Sequence, residues 1–163
     1  MEVAGVKFRR LVNPAFAKFF SNGIVAREEF LQANPDALAG LGRAVAKGTL
    51  FAMENPEAAV RIHWKVYPDA KPKGVDEAKA LTDGVFLLKE ALKTFNFKER
   101  DKLRKWGSWD PEEWQAFSDA MVQLGIVKTK IPPTEVYTNT FVEPFNAFDA
   151  AKVRAQARAY RAD

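Results

Sequence analysis

Three times in this chain an Asn or Asp is followed by proline and then by an acid: Asn34-Pro35-Asp36, Asn55-Pro56-Glu57 and Asp110-Pro111-Glu112. Each is a helix start. The first side chain accepts from an orphan amide as N-cap, and proline at the first helical position removes a donor that had no partner. The acid then sits at the positive end of the helix dipole. These starts predict helices opening at Pro35, Pro56 and Pro111. The first two lie twenty-one residues apart, and no third unit follows at that period, so they read as two tightly joined helices and not as a repeat array.

The apolar pattern fills in the elements between these starts. Leu38, Leu41, Val45, Gly48 and Ala52 recur at threes and fours, which predicts an inward face running down to Glu54. Gly40, Gly42 and Gly48 weaken that helix by about 1 kcal/mol each relative to Ala, so close approach of a neighbouring element is expected at them. Pro56 to Tyr67 carries Ala59, Ile62 and Val66 on one side and Val60 and Trp64 on another. Beyond the polar loop PDAKPKG, Val75, Ala78, Leu81, Val85, Leu88, Leu92 and Phe95 form the longest stripe. Asn96 to Lys105 is a charged connector, broken at Trp106-Gly107-Ser108-Trp109. The helix from Asp110 turns Trp114, Phe117, Met121 and Leu124 inward and stops at Gly125, with Ile126 packing back behind it. An alanine-rich helix from Pro144 to Tyr160 closes the chain.

Strand signal is thin. Val3 to Val12 reads as an extended segment ending at Asn13-Pro14, and Gly23 to Ala26 as a second short strand. Two strands do not make an independently stable sheet. The fold class expected is therefore α/β but predominantly helical, a single domain over residues 1–163 with its few strands in 1–26 and a helical portion in 27–163.

Composition narrows the function classes. The chain is 47% apolar, with thirteen Phe and four Trp, enough for a packed core. No run approaches the roughly 20 apolar residues of a membrane span, so membrane insertion is not expected. The start Met1-Glu2-Val3-Ala4-Gly5 lacks the basic and apolar regions of a secretion signal. A formal charge of +4 with 21 acids interspersed is too mild to demand an acidic partner, and nucleic acid is not expected. The absence of Cys removes thiolate catalysis and Cys-based metal sites, and a single His removes imidazole-rich ones. No cofactor and no metal is expected.

Taken in order, SNGIVAREEF, NPDALAGLGRAVAKGTLFAMENPEAA, WDPEEWQAFSDAMVQLGIV and VYTNTF resemble the C-terminal half of the periplasmic solute-binding proteins that serve ABC importers, in the nitrate/sulfonate/taurine and thiamine-pyrimidine branch. The resemblance runs roughly from Val3 to Val142. It implies two α/β lobes joined by crossing strands and closing on a small ligand, a sulfonate, taurine, nitrate or pyrimidine precursor. It also implies a periplasmic location, an ABC permease as partner of the full-length protein, and no catalysis. Family members are longer, so the resemblance implies a truncated lobe whose uncovered surface favours a homodimer. The synthase branch carries a cysteine-rich motif that this chain lacks, which argues against an enzyme.

Ser21 and Asn22 precede the strand that, by this resemblance, crosses at the hinge. Their hydroxyl and amide groups suit a ligand edge, or else bond the local backbone as ordinary turn residues. Trp106 and Trp109 flank Gly107, where an aromatic face either walls a pocket for a planar ligand or anchors the loop on the core. The candidate ligand-binding residues are thus Ser21, Asn22 and Trp106, with no catalytic residue. His63 reads as a structural histidine, Asp110, Glu112 and Glu113 as a helix start, and Tyr137, Thr138 and Asn139 as a loop that pins the last helix. Lys152, Arg154, Arg158 and Arg161 make a basic last helix. It is either a solvated face or, in the alternative function, the surface of a helical interaction module that binds an acidic partner.

Overall fold

The computed structural model describes residues 5–9, 11, 22–93 and 105–161. Among them every regular element is helical: α1 (Glu28–Ala33), α2 (Pro35–Glu54), α3 (Pro56–Val66), α4 (Glu77–Lys93), α5 (Pro111–Gln123), α6 (Val142–Asn146) and α7 (Ala150–Ala159), with 3-10 turns at Pro68–Ala70 and Pro133–Glu135. All three proline starts open helices at the expected residue. Their caps differ. Asp110 Oδ1 accepts from the Glu112 amide at 2.8 Å and Asn55 Oδ1 from the Ala58 amide at 3.1 Å. Asn34 turns backward instead, its Nδ2 donating to the Phe30 carbonyl at 3.2 Å to close α1.

The long helix α2 is the axis of the fold. It packs against α6 and α7 and, at its end, against α3, which in turn carries α4. Its buried residues are Leu38, Gly42, Ala46 and Leu50, one every fourth position. This seam is rotated from the expected one: Leu41 and Val45 are each 50% exposed, and Gly48 faces open space. The reason is steric. Phe145 of α6 lies so close to Gly42 that any β-carbon there would overlap its ring, so Gly42 and Ala46 take the contact face there and Leu41 and Val45 turn outward. Of the three glycines in α2, Gly42 alone has the expected close neighbour. Nothing lies within 4 Å of a β-carbon placed at Gly40 or Gly48.

The same rule shapes α4. Ala80 is its buried residue, and a β-carbon at Gly84 would meet Val60 of α3 at 3.0 Å, while the bulky residues Leu81, Val85, Leu88 and Leu92 are half-buried and Val75 is exposed. Phe95 and most of the charged connector lie outside the described residues. At the end of α5 the Gly125 amide donates to the Val122 carbonyl and the Ile126 amide to the Met121 carbonyl, a Schellman closure. Ile126 remains 65% exposed, so it does not pack back as expected. The last helix is two helices. The chain breaks after Asn146, and Asp149 restarts it by accepting from the Lys152 amide at 2.9 Å.

No strand occurs among the described residues, which bears out a predominantly helical fold and corrects the strand expected at Gly23–Ala26. Residues 22–27 are irregular, and Val25 is 95% exposed. A strand is held by ladder partners, and this stretch has none among the described residues. Of the Val3–Val12 segment only 5–9 and 11 are described, opening in a turn at Gly5. The buried apolar residues among those described are Leu38, Ala46, Leu50, Ala58, Val60, Ala80, Val153 and Ala157, half of them alanine.

Candidate functional site

Of the sequence-derived site residues, Asn22 and Trp106 lie among the described residues. Asn22 is exposed and sits in the irregular stretch before α1. Its neighbour Gly23 lies against the indole of Trp109, where a β-carbon would come within 2.8 Å of Cζ2. The chain at Gly23 therefore borders the Trp106–Trp109 loop, although more than eighty residues separate them. Ser21 lies outside the described residues. Trp106 is half-buried and opens the turn, and Gly107 takes φ +77°. At that φ a side chain is strained, and a β-carbon would also meet Phe145 Cδ2 at 2.5 Å.

Two asparagines hold this loop by its backbone. Asn146 Oδ1 accepts from the Trp106 amide at 3.0 Å, and its Nδ2 donates to the Trp106 carbonyl at 2.9 Å. The same Nδ2 donates to the Val142 carbonyl at 2.7 Å, within α6. Asn139 repeats the arrangement on Trp109, accepting from its amide at 2.9 Å and donating to its carbonyl at 3.1 Å. Each side-chain amide thus pairs with one tryptophan's backbone as a neighbouring strand would. The Ser108 amide and hydroxyl both donate to the Lys105 carbonyl, at 3.2 and 2.8 Å. The amides of Trp106, Ser108 and Trp109 are all engaged, so they do not form a nest of free N–H donors.

Aromatic packing backs the loop. Trp109 meets Trp114 edge to face at 5.5 Å between ring centroids, and Trp114 stacks on Tyr137 at 5.7 Å with 11° between the planes. Phe117 closes the cluster at 6.1 Å from Trp114. On the other side, α6 joins the loop to α2. The ring of Phe145 lies between Gly42 and Gly107, Arg43 Nη1 donates to the Pro144 carbonyl at 3.1 Å, and Glu143 pairs with Lys105.

The remaining candidates have structural places. His63 is exposed, its ring tilted against Tyr67 at 5.2 Å between centroids, so it is a surface histidine. Asn139 of the Tyr137-Thr138-Asn139 stretch pins the Trp109 loop, and Thr138 and Thr140 bond each other through their hydroxyls at 2.8 Å. The sequence signal for Asn139 was therefore present but pointed at the wrong partner. Asn146 carried none. In the basic last helix, Arg154 and Arg158 both bond Glu54 of α2, at 3.2 and 2.6 Å. The Arg154 hydrogen bond and then Arg158 hold the Glu54 carboxyl below its ordinary value. Arg161 Nη1 also donates to the Arg158 carbonyl at 2.9 Å, so three of the four cations are engaged internally. Two shallow depressions of ≈ 220 Å³ each lie elsewhere, one lined by Asn55, Arg61 and Tyr160 and one by Trp64, Lys71 and Glu77. Among the described residues no group of three His, Cys, Asp or Glu side chains gathers as a metal site would need, and no helix is long and apolar enough to cross a membrane.

Compared with known proteins, residues 2–59 match the family model described as NMT1/THI5 like. The match takes in the irregular stretch at Asn22, α1, α2 and the start of α3. It covers well under half of the chain and stops before the Trp106 loop. No curated protein and no solved structure matches the chain.

Proposed function

We propose that this chain is the C-terminal portion of a two-lobed solute-binding protein that serves an ABC importer from the periplasm, with Ser21, Asn22 and Trp106 on its ligand-facing side. The observation that carries this reading is a coincidence of position. The segment matching the NMT1/THI5 like family model contains Asn22, and the adjacent Gly23 lies against the Trp109 indole, in the loop that Trp106 opens. Binding is noncatalytic. A small organic or inorganic anion, or a pyrimidine precursor, bridges the lobes and stabilises the closed form by its higher affinity for it, and the closed form docks on the permease.

The small, alanine-rich core supports a partial lobe. Leu41, Val45, Phe86, Leu87, Leu124 and Ile126 are all 39% exposed or more, as expected of helices that elsewhere would cover further structure. A chain of this kind contacts its solute from one side only and covers itself as a homodimer. The alternative of an interaction module for an acidic partner draws less support, because Arg154 and Arg158 are already held on Glu54.

The test combines light scattering with tryptophan-fluorescence titration by nitrate, taurine, methanesulfonate and an aminopyrimidine. The expected result is a dimer whose fluorescence responds saturably to one of these at millimolar concentration, with the response lost in Trp106→Ala. A monomer blind to all four that binds polyanions with steep salt dependence would overturn the reading in favour of the interaction module.

A further inference from the structure

We propose that Asn139 and Asn146 are positioning residues, which hold the backbones of Trp109 and Trp106 in place in a loop on the ligand-facing side. This rests on the solute-binding reading for what the loop contacts, but the positioning itself stands on geometry. An asparagine amide has one acceptor oxygen and two donor hydrogens. In both residues the oxygen takes a tryptophan N–H and the nitrogen returns a bond to the same residue's carbonyl, with all four distances between 2.9 and 3.1 Å.

A loop held at one group can still rotate about that bond. A loop held at both the N–H and the C=O of one residue cannot, and here two residues three apart are held so. The two clamps arise from different elements, Asn139 from the segment before α6 and Asn146 from the end of α6 itself. Asn146 is further tied to its own helix through the Val142 carbonyl. Phe145, next to Asn146, is wedged between Gly42 and Gly107, so the position of the Trp106 backbone is referred directly to α2. Under the solute-binding reading, recognition at this loop depends on where the two clamped backbones set their side chains. Loss of either clamp should act through the tryptophan it holds.

The experiment labels the chain with fluorotryptophan and reads fluorine NMR, with resonances assigned by Trp106→Phe and Trp109→Phe. Asn146→Ala is expected to shift and broaden the Trp106 resonance, and Asn139→Ala that of Trp109, each leaving Trp64 unchanged. Asn55→Ala is the control. Asn55 also caps a helix and donates to the Ala157 carbonyl at 2.8 Å, so its loss should lower Tm while leaving both loop resonances in place. Asn146→Asp, which keeps an acceptor for the Trp106 amide and loses the return donor, is the milder variant should Asn146→Ala fail to fold. Whichever of nitrate, taurine, methanesulfonate or the aminopyrimidine binds the wild type should bind Asn146→Ala about tenfold more weakly and Asn55→Ala equally well.

Loop resonances unmoved by the clamp variants, or moved as much by Asn55→Ala, would overturn the proposal. So would equal affinity in wild type and Asn146→Ala. Resonances that respond as expected, in a protein that binds none of the four solutes, would uphold the positioning and remove the solute-binding reading instead.

Discussion

Alanine placed at three glycines of one helix should have opposite effects on stability. At Gly48, and equally at Gly40, nothing lies within 4 Å of the new β-carbon. The substitution then acts only on helix propensity and unfolded-chain entropy, and stabilises by about 1 kcal/mol. At Gly42 the same gain in propensity meets the Phe145 ring. The new β-carbon would overlap Cδ1, Cε1 and Cζ, while the opposite edge of the ring already faces the Gly107 position, where a β-carbon would stand 2.5 Å from Cδ2. The ring has no free direction in that plane. Reaching an ordinary carbon–carbon contact of about 3.5 Å means moving α6 off α2, which forfeits roughly 1.5–3 kcal/mol of aromatic burial, and with it the Arg43 bond to the Pro144 carbonyl. Setting about 1 kcal/mol of propensity against these losses leaves Gly42→Ala destabilised by about 2 kcal/mol. Thermal unfolding followed by circular dichroism should show Gly48→Ala melting about 2–4 °C above wild type and Gly42→Ala about 4–8 °C below it. If Gly42→Ala is as stable as Gly48→Ala, the seam described for α2 is wrong.

Two further outcomes follow from the same contacts. The carboxyls of Glu54, Glu77 and Asp119 are held below their ordinary values, chiefly by hydrogen bonds from Arg154, Lys71 and Lys130 respectively. The unfolded chain therefore takes up protons at higher pH than the folded one. Stability is full above the unfolded values near about 4 and falls as pH drops through the folded ones. Glu54→Gln should lower stability at neutral pH and shallow the acid limb in urea titrations, and an unchanged limb would contradict the Arg154–Glu54–Arg158 pairing. Gly23→Ala would put a β-carbon 2.8 Å from Trp109 Cζ2, and should displace that ring and shift tryptophan emission to the red. The same substitution in a Trp109→Phe background should shift nothing, and a shift that persists there would place the contact elsewhere.

Helix starts were legible because they are local. Asp110-Pro111-Glu112 and Asn55-Pro56-Glu57 specify a first turn from three adjacent residues, and the structure opens helices there. Helix faces were not, because periodicity reports which residues are apolar and not which neighbour arrives. In α2 both the stripe through Leu41 and Val45 and the stripe through Gly42 and Ala46 are compatible with the pattern. The choice fell to a phenylalanine a hundred residues away that needs a position without a β-carbon. The expected strand at Gly23–Ala26 failed for a related reason: an apolar tetrapeptide is a strand only when a ladder partner lies alongside.

The site divides along the same line. Trp106, Trp109 and the Asn22 turn could be singled out from sequence, since aromatics beside a glycine and a Ser-Asn-Gly turn carry their meaning within a few residues. Their juxtaposition could not, because it runs through Gly23 against Trp109. Asn146 shows why the supporting residues are harder still. An asparagine ending a short helix reads as an ordinary terminus, and its work is done across forty residues on the backbone of Trp106, a group that every residue type presents alike. Asn139 was marked within Tyr137-Thr138-Asn139 and assigned to the last helix. Its bonds go the other way along the chain, to Trp109. Side chains that recognise backbone leave no complementary residue in the sequence to betray their partner. In this fold Trp106 and Trp109 were therefore visible in the sequence, and the contacts that hold their backbones were not.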